Sequence, residues 1–580
     1  MSRSSSGPTP ADGREWVYCW IPANRHGIIR RVPLDGGGVA DARKGELVWD
    51  RSPADKHNFD LSRDGTRAAG LLPWPDAHVA ELPNQGSQRF GGGCCTSMAP
   101  DDSYYAWVFD GSHRGVNLRG PGGISRHVDI HGAPGVDGWE VYHPRWSNHP
   151  RFIGMTGPYK KGSMGGNNIR AGGKGVEVYV GRFDPDYTRI EAWARVTNDA
   201  EADFIPAVWI EGGETVSVMD TVGEADRKLR ETAFRPAADR EGAWPGSHDG
   251  LVYLWEGWNR PNRIRDEGAG VDRSCRATLR GKAVPAEGGA VDLAGGALVA
   301  QAIADELLAA CRASSQLALE AVFTPDTLDQ RGPARIVSFS SGSASRNFTL
   351  GQEGDRLILR LRTPSTGDNG VDPETTLCTL EAGRTVHLLA SYAPGDLRVF
   401  ADGKPILRSD AVQGDFSNWS EQTLLFGDEV ADPRDWSGRL HAVALYARSI
   451  GAEEAALKHG QWTAREAARP TRRTVKVEAR LATLPPAPSP EEMGAYRRAL
   501  NLCEYDVIRV LEGECDEPRI AVAHWALLDN QPVESYGKRT VGGAFELEIV
   551  PLEECPELEG ERRFDDLSDP TLPLFYDDTR

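Results

Sequence analysis

The sequence predicts an all-β protein, and three observations carry the prediction. Between Leu317 and Tyr446, short β-type segments recur at close spacing, each bounded by Gly, Pro or Asp. In the first 215 residues, three stretches repeat one another in a strand, turn, strand pattern. The composition, with 64 Gly, 38 Pro and 16 Trp in 580 residues, favours turns and strands over helix bundles. So long a chain exceeds what one hydrophobic core serves, and several domains follow.

In the central region the segments are Arg335 to Ser340, Arg356 to Thr363, Thr385 to Tyr392, Leu397 to Ala401, Leu424 to Gly427 and Leu440 to Tyr446, with "ADGK" at Ala401 to Lys404 as a hairpin turn. Their spacing predicts a two-sheet sandwich of jelly-roll type. Ala304 to Gln316 reads as a helix, apolar at Leu307, Leu308 and Cys311, that caps the sandwich. The runs "LALEAVFTPD", "RIVSFSSGSASRNFTLGQEGDRLILRLRT", "LRVFADGKPI" and "DWSGRLHAVALYARSI" resemble a laminin G-like, concanavalin A-like jelly roll, from about Gly250 to Trp462. The resemblance places this domain at 248–465 and implies a role in binding glycans or proteins.

The N-terminal repeat emerges when "HNFDLSRDGTRAAGLL", "CTSMAPDDSYYAWVF" and "HPRWSNHPRFIGMTG" are superposed, with Ser62, Ala99 and Ser147 in register. Spacings of 37 and 48 residues suit one four-stranded propeller blade each. "LSRDGTRAA" and "MAPDDSYYAW" resemble the turn of TolB-like β-propeller repeats, while "WSNHPRFIGM" lacks the Asp-Gly. After a disordered start at 1–14, residues 15–215 are expected to form a small β-propeller of four or five blades. In that expectation "DFIPAVWIEGG" from Asp203 supplies an inner strand and "EWVYCW" the next, closing the ring. Strand alternation then sends Asn58, Asp60, Cys95, Ser97, His143 and Arg145 to the central channel, and packs Phe59, Leu61, Met98 and Trp146 between blades. Such a channel either takes a ligand or satisfies its polar groups internally. Cys94 or Cys95 opposite His143 would be the nucleophile pairing in it.

Residues 216–247 read as a charged linker with one short helix, and 466–490 as a Pro-rich linker. Residues 491–580 read as a small OB-like β-barrel with an acidic tail. "YDVIRVLEG", "IAVAHWALLDNQPV" and "GGAFELEIVPL" resemble a C-terminal module of exported bacterial multidomain proteins. His524 is its one acid/base candidate, and a satisfied core histidine is the simpler reading.

Within the sandwich, "DRLILRLRT" alternates, so Leu357, Leu359 and Leu361 face the core, and Ile358, Arg360 and Arg362 the other side. Guanidinium groups grip carboxylate or sulfate in bidentate fashion. Arg346, Asn347, Gln352, Asp368 and Asn369 flank them with the short polar groups that recognise sugar hydroxyls. Arg360, Arg362, Asn347, Gln352 and Asn369 are therefore the candidate ligand contacts here, with Asn58, Asp60, His143 and Arg145 in the N-terminal channel. An ordinary solvated face with Arg paired to Glu or Asp is the alternative. Phe416, Trp419, Phe426 and Trp436 either stack on sugar rings or plug the core. "FGDEVADPRDWSG" gathers Asp428, Glu429, Asp432 and Asp435; laminin G-like domains often hold calcium at such a rim, so Asp428, Asp432 and Asp435 are candidate calcium ligands. Turn formation explains these Asp residues as well.

A formal net charge of −19 argues against general affinity for nucleic acid or an anionic membrane surface. No apolar run reaches the roughly 20 residues of a membrane span, and "MSRSSSGPTPADGREW" lacks a leader's apolar core, although the domain types point to an extracytoplasmic location. The nine cysteines contain no CxxC pair; Cys503 and Cys515 either bridge or remain thiols. No Gly-x-Ser-x-Gly elbow, P-loop or Glu-x-Asp-x-x-Glu strand is present. The sequence thus points to a noncatalytic protein that binds polysaccharide at the bacterial envelope or outside the cell. A protein-interaction scaffold of an envelope assembly, and a polysaccharide lyase or hydrolase working in the propeller funnel, are the alternatives.

Overall fold

The computed structural model describes residues 14–577, apart from 24–25, 35–40, 55–58, 84–85, 160–174, 223–243, 259, 261, 267–270, 302, 430, 432, 490–491, 494, 566 and 570. The chain is all-β with few helices. It divides into two compact units: Met1–Ala237 with Thr474–Leu527 and Pro532–Arg580, and Ala238–Arg473 with Leu528–Gln531. The C-terminal module is therefore part of the same unit as the N-terminal sheets, a grouping that its position in sequence does not announce.

In the first unit, three four-stranded antiparallel sheets follow one another in the chain. They are Phe59–Leu61, Arg67–Leu71, Asp76–Glu81 and Ser87–Gly92; Thr96–Met98, Ala106–Phe109, Gly115–Gly120 and Ile124–Asp129; and Glu140–Trp146, Phe152–Tyr159, Glu177–Phe183 and Ile190–Arg195. Ser62, Ala99 and Ser147 each directly follow the first strand of a sheet, so the sequence repeat and the sheet repeat coincide. The turns share a device. Ser62 Oγ donates to Asp64 (2.6 Å) and accepts from the Arg67 N–H (3.0 Å), and Ser103 Oγ donates to Asp101 (2.5 Å). Short polar side chains that bond their own backbone fix such turns. Strand Thr96–Met98 lies against both Phe59–Leu61 and Glu140–Trp146.

A fourth sheet has three strands among the described residues, Trp16–Ala23, His26–Pro33 and Glu46–Ser52. The "EWVYCW" segment is a strand of it, whereas "DFIPAVWIEGG" is not a strand. Pro206 lacks an N–H for a ladder, and the stretch is pinned instead by Asn148, whose Oδ1 accepts the Ile210 N–H at 2.7 Å. The expected linker at 216–247 begins with a helical turn, Val218–Thr221, that buries Val218 and Val222 in the N-terminal core.

The C-terminal module starts earlier than expected. Val475–Thr483, inside the supposed Pro-rich linker, pairs with both Ala499–Glu512 and Ala544–Pro551. Its inward residues Val477, Ala479 and Leu481 are fully buried, a period-two signal that the neighbouring Pro and Arg residues obscure. Pairings continue through Leu574–Asp577 and Arg519–Leu528 back to Ala499–Glu512, so five strands close on themselves and leave no edge among them.

The second unit is the sandwich. One sheet runs in the order Val284–Pro285, Val291–Asp292, Gly438–Tyr446, Leu317–Pro325, Val386–Ala393, Asp396–Ala401, Lys404–Ser409, with Leu251–Trp255 also on Gly438–Tyr446. The other runs Arg276–Gly281, Gly296–Gln301, Thr423–Phe426, Ala334–Gly342, Ser345–Glu353, Arg356–Leu361, Thr375–Thr379. Alternate residues of both meet in one core, which includes Phe323, Phe339, Phe348, Leu359, Phe416, Trp419, Phe426 and Trp436. The aromatic quartet therefore fills the interior instead of offering a stacking platform. The helix Ala304–Ser314 buries Leu307 and Cys311 as its spacing predicts.

A candidate anion-binding face on the sandwich

The face of the second sheet that turns away from the core is set by strand alternation. Leu357, Leu359 and Leu361 enter the core, and Arg360, opposite Thr349 on the next strand, projects to the other side. Thr349 faces Ser338 in turn, and the hydroxyls of Ser340, Ser338 and Thr349 form a chain with contacts of 2.7 and 2.6 Å. Arg335 and Glu429 join this chain, both side chains fully buried. Arg335 Nε donates to Glu429 at 2.8 Å, and Ser340 donates to the same carboxylate oxygen at 2.7 Å.

Among the groups that act most strongly on Arg346, cations outnumber anions. Arg335, Arg360 and Arg434 all act on Arg346, and burial together with their repulsion pushes its guanidinium down to about 9. Glu429 answers Arg335, and Glu374 answers Arg360 at 2.6 Å. Arg346 itself is completely buried, and its Nη2 donates to the Ser343 carbonyl. Among the described residues, its Nε and Nη1, and Nη2 of Arg335, have no hydrogen-bond partner. Such orphan donors in a dry site are costly, and an acceptor brought by a ligand would relieve them.

Beside this face lies a cavity of about 360 Å³, lined among others by Thr327, Asp329, Gln330, Arg331, Arg434 and Asp435. That size is within the range of small-ligand pockets. Asp428 Oδ1 accepts the N–H of Glu429 at 2.7 Å and also the N–H of Arg434. Partial burial, with a hydrogen bond and like charge from Asp428, raises the Asp435 carboxyl to about 6. Asp432 lies outside the described residues, and among those described no group of three side chains is arranged to hold a metal ion.

The predicted contacts have mixed fates. Arg360 pairs with Glu374, and Arg362 with Asp368 at 2.8 Å; among the described residues, Arg362 Nε and Asn369 Oδ1 have no hydrogen-bond partner. Asn347 is buried and committed to the Ser420 backbone, donating at 2.7 Å and accepting at 3.1 Å. Gln352 is buried as well; its Oε1 accepts from Gln330 (3.0 Å) and from the Trp436 indole (2.9 Å), so it stands behind the cavity wall. Sequence reasoning passed over Arg335, Arg434 and Gln330, because their neighbours on the face are distant in the chain.

In the N-terminal sheets, Asp60 and Ser97 come together near Arg145. Asp60 accepts from the Ser97 side chain and the Met98 N–H, while its burial raises the carboxyl in spite of Arg145. His143 holds Thr156 Oγ1 at 3.1 Å from Nδ1 and adopts φ +52°. Asn58 lies outside the described residues. His524 is buried between Asp577 (3.0 Å) and Tyr505 (2.9 Å).

Residues 300–456 match the family model Laminin_G_3, described as the concanavalin A-like lectin/glucanases superfamily. No curated protein matches the chain. Among solved structures, a pentraxin from Limulus polyphemus is similar at 18% identity, over 24% of this chain and 68% of that one, with a TM-score of 0.20. Domain 4 of an extracellular GH43 arabinanase from Geobacillus stearothermophilus, solved with arabinotriose, is similar at 13% identity, over 36% and 96%, with a TM-score of 0.25. A botulinum neurotoxin type C structure is similar at 9% identity, over 52% and 65%, with a TM-score of 0.27.

Proposed function

We propose that this chain is a noncatalytic binding protein whose sandwich recognises an acidic polysaccharide, at the bacterial envelope or outside the cell. The carrying observation is the surplus of buried guanidinium nitrogens around Arg346, Arg335 and Arg362, next to a cavity walled by Arg331 and Arg434. Carboxylate or sulfate oxygens supply the acceptors those nitrogens lack, and Asp329, Gln330 and Asn369 suit sugar hydroxyls. The match to a lectin and glucanase superfamily agrees with a binding role, and no strand of the sandwich carries the Glu-x-Asp-x-x-Glu carboxylates of concanavalin-like glucanases.

On this reading the four successive N-terminal sheets are blades of a small propeller, its polar inner residues Asp60, His143 and Arg145 a second contact surface, and the closed C-terminal strands an OB-like barrel. Calcium is a proposed addition at the Asp428 and Asp435 pair, where it would displace the proton that Asp435 retains up to about pH 6. A panel of neutral and acidic polysaccharides, with and without calcium, tests both. Binding of acidic glycans that Arg360→Ala with Arg362→Ala removes is expected. Failure to bind any glycan would favour the protein-scaffold reading.

A further inference from the structure

Cys94 and Cys95 stand before strand Thr96–Met98 in the first unit, where the ladder is irregular. Phe109 accepts the Cys94 N–H (2.9 Å) and donates its own N–H to the Cys95 carbonyl (2.8 Å), so two residues oppose one in a β-bulge. A bulge re-aims side chains that would otherwise alternate. The two sulfur atoms come within 3.6 Å of each other.

The surroundings supply the rest of a thiol centre. His113, 1% exposed, contacts Tyr142 Oη (2.8 Å) and Glu140 (3.4 Å) through Nδ1, and among the described residues its Nε2 makes no hydrogen bond to nitrogen or oxygen. Arg562, from the C-terminal module, is buried against Glu140 and donates to the Gly111 carbonyl at 2.9 Å. The hydrogen bond from Cys95, the His113 imidazole and the Arg562 charge together hold the Cys94 thiol well below the usual range, whereas burial pushes Cys19, Cys311, Cys378 and Cys503 up. As residues, Cys94 and Cys95 are both half-buried.

We infer that Cys94 and Cys95 form a thiol–disulfide exchange centre, with Cys94 as attacking thiolate, Cys95 as resolving thiol and His113 as the proton acceptor between them. The Cys94 thiolate attacks a small aliphatic disulfide, forming a mixed disulfide and releasing one thiolate, which takes up from solvent the proton that Cys94 had given to it. Cys95 then gives its proton to His113, attacks the Cys94 sulfur and expels the second thiolate, which takes that proton. The protein is oxidised by two electrons to a Cys94–Cys95 disulfide, and the small disulfide is reduced to two thiols. Adjacent Cα atoms are about 3.8 Å apart, closer than the roughly 4.4–6.8 Å of most disulfides, so the bond would be readily reversed. That suits exchange better than a structural staple.

The test uses the full chain, iodoacetamide and oxidised glutathione, with site-resolved mass spectrometry. At pH 6, Cys94 should be alkylated at least tenfold faster than Cys515, and His113→Gln should bring the two rates together. Oxidised glutathione should remove two hydrogens from the 94–95 peptide of the wild type, while Cys95→Ser keeps a glutathione adduct on Cys94. Equal alkylation of Cys94 and Cys515 at pH 6 in the wild type, or a stable adduct on wild-type Cys94, would overturn the inference. Both wild-type readouts stand even if a variant fails to fold.

Discussion

Arg346 and Glu429 sit a few residues apart in space with opposite consequences for substitution. Arg346 is a buried cation pressed by Arg335 and Arg360, with two nitrogens that no described residue bonds. Replacing an uncompensated buried charge with an apolar side chain of similar length is neutral or stabilising. Arg346→Met should therefore leave Tm unchanged or raise it, while weakening binding of acidic glycans. Glu429→Gln should do the reverse to stability, costing about 3–5 kcal/mol, because Arg335 then loses its buried charged partner. Chemical denaturation of the two variants reads both signs. Asp435 adds a pH dependence. Its folded carboxyl titrates at about 6 against an ordinary 3.8. Between those values the folded chain keeps a proton that the unfolded chain has lost, so its contribution is full below about pH 4 and fades as the pH rises to about 6. Asp428→Asn should flatten that part of the stability profile.

At the scale of elements, strand periodicity made most of the sandwich legible. The alternation in "DRLILRLRT" correctly separated Leu357, Leu359 and Leu361 from Arg360. Ser62, Ala99 and Ser147 marked the ends of three first strands because the turn chemistry after them is local. What escaped was what local pattern cannot encode. Val475–Thr483 was hidden by flanking Pro and Arg residues, and its membership of a closed sheet depends on partners up to about a hundred residues away. "DFIPAVWIEGG" has strand-like composition, but Asn148 holds it irregular from a distance. The bulge at Cys94 and Cys95 left no mark in sequence; the partner expected for them was His143, and the structure brings His113 instead. Asn347 and Gln352 have the residue types of sugar contacts, yet backbone and core groups consume their hydrogen bonds.

For the whole molecule, the lesson lies in the composite first unit. Arg562 joins the last strands to Glu140 and Gly111, Arg563 reaches Asp110 at 3.1 Å, and Arg119 reaches Glu559 at 3.0 Å. Arg562 and His113 in turn depress the Glu140 carboxyl, so this contact contributes stability above the ordinary carboxylate range and loses it as acid protonates Glu140. Arg562→Met should cost about 3–5 kcal/mol by stranding Glu140, and the loss should register in the N-terminal sheets as much as in the C-terminal strands. Hydrogen exchange that stayed unchanged in residues 59–159 of this variant would argue that the two parts are independent. The binding claim rests on the second unit and is most directly tested by titration calorimetry of the full chain with polygalacturonate and with neutral dextran, for the wild type and Arg346→Met. Wild-type binding to polygalacturonate alone, weakened at least tenfold in Arg346→Met at equal or higher Tm, is the expected result; equal affinity of the two proteins for polygalacturonate, or no heat with either polymer, would contradict it.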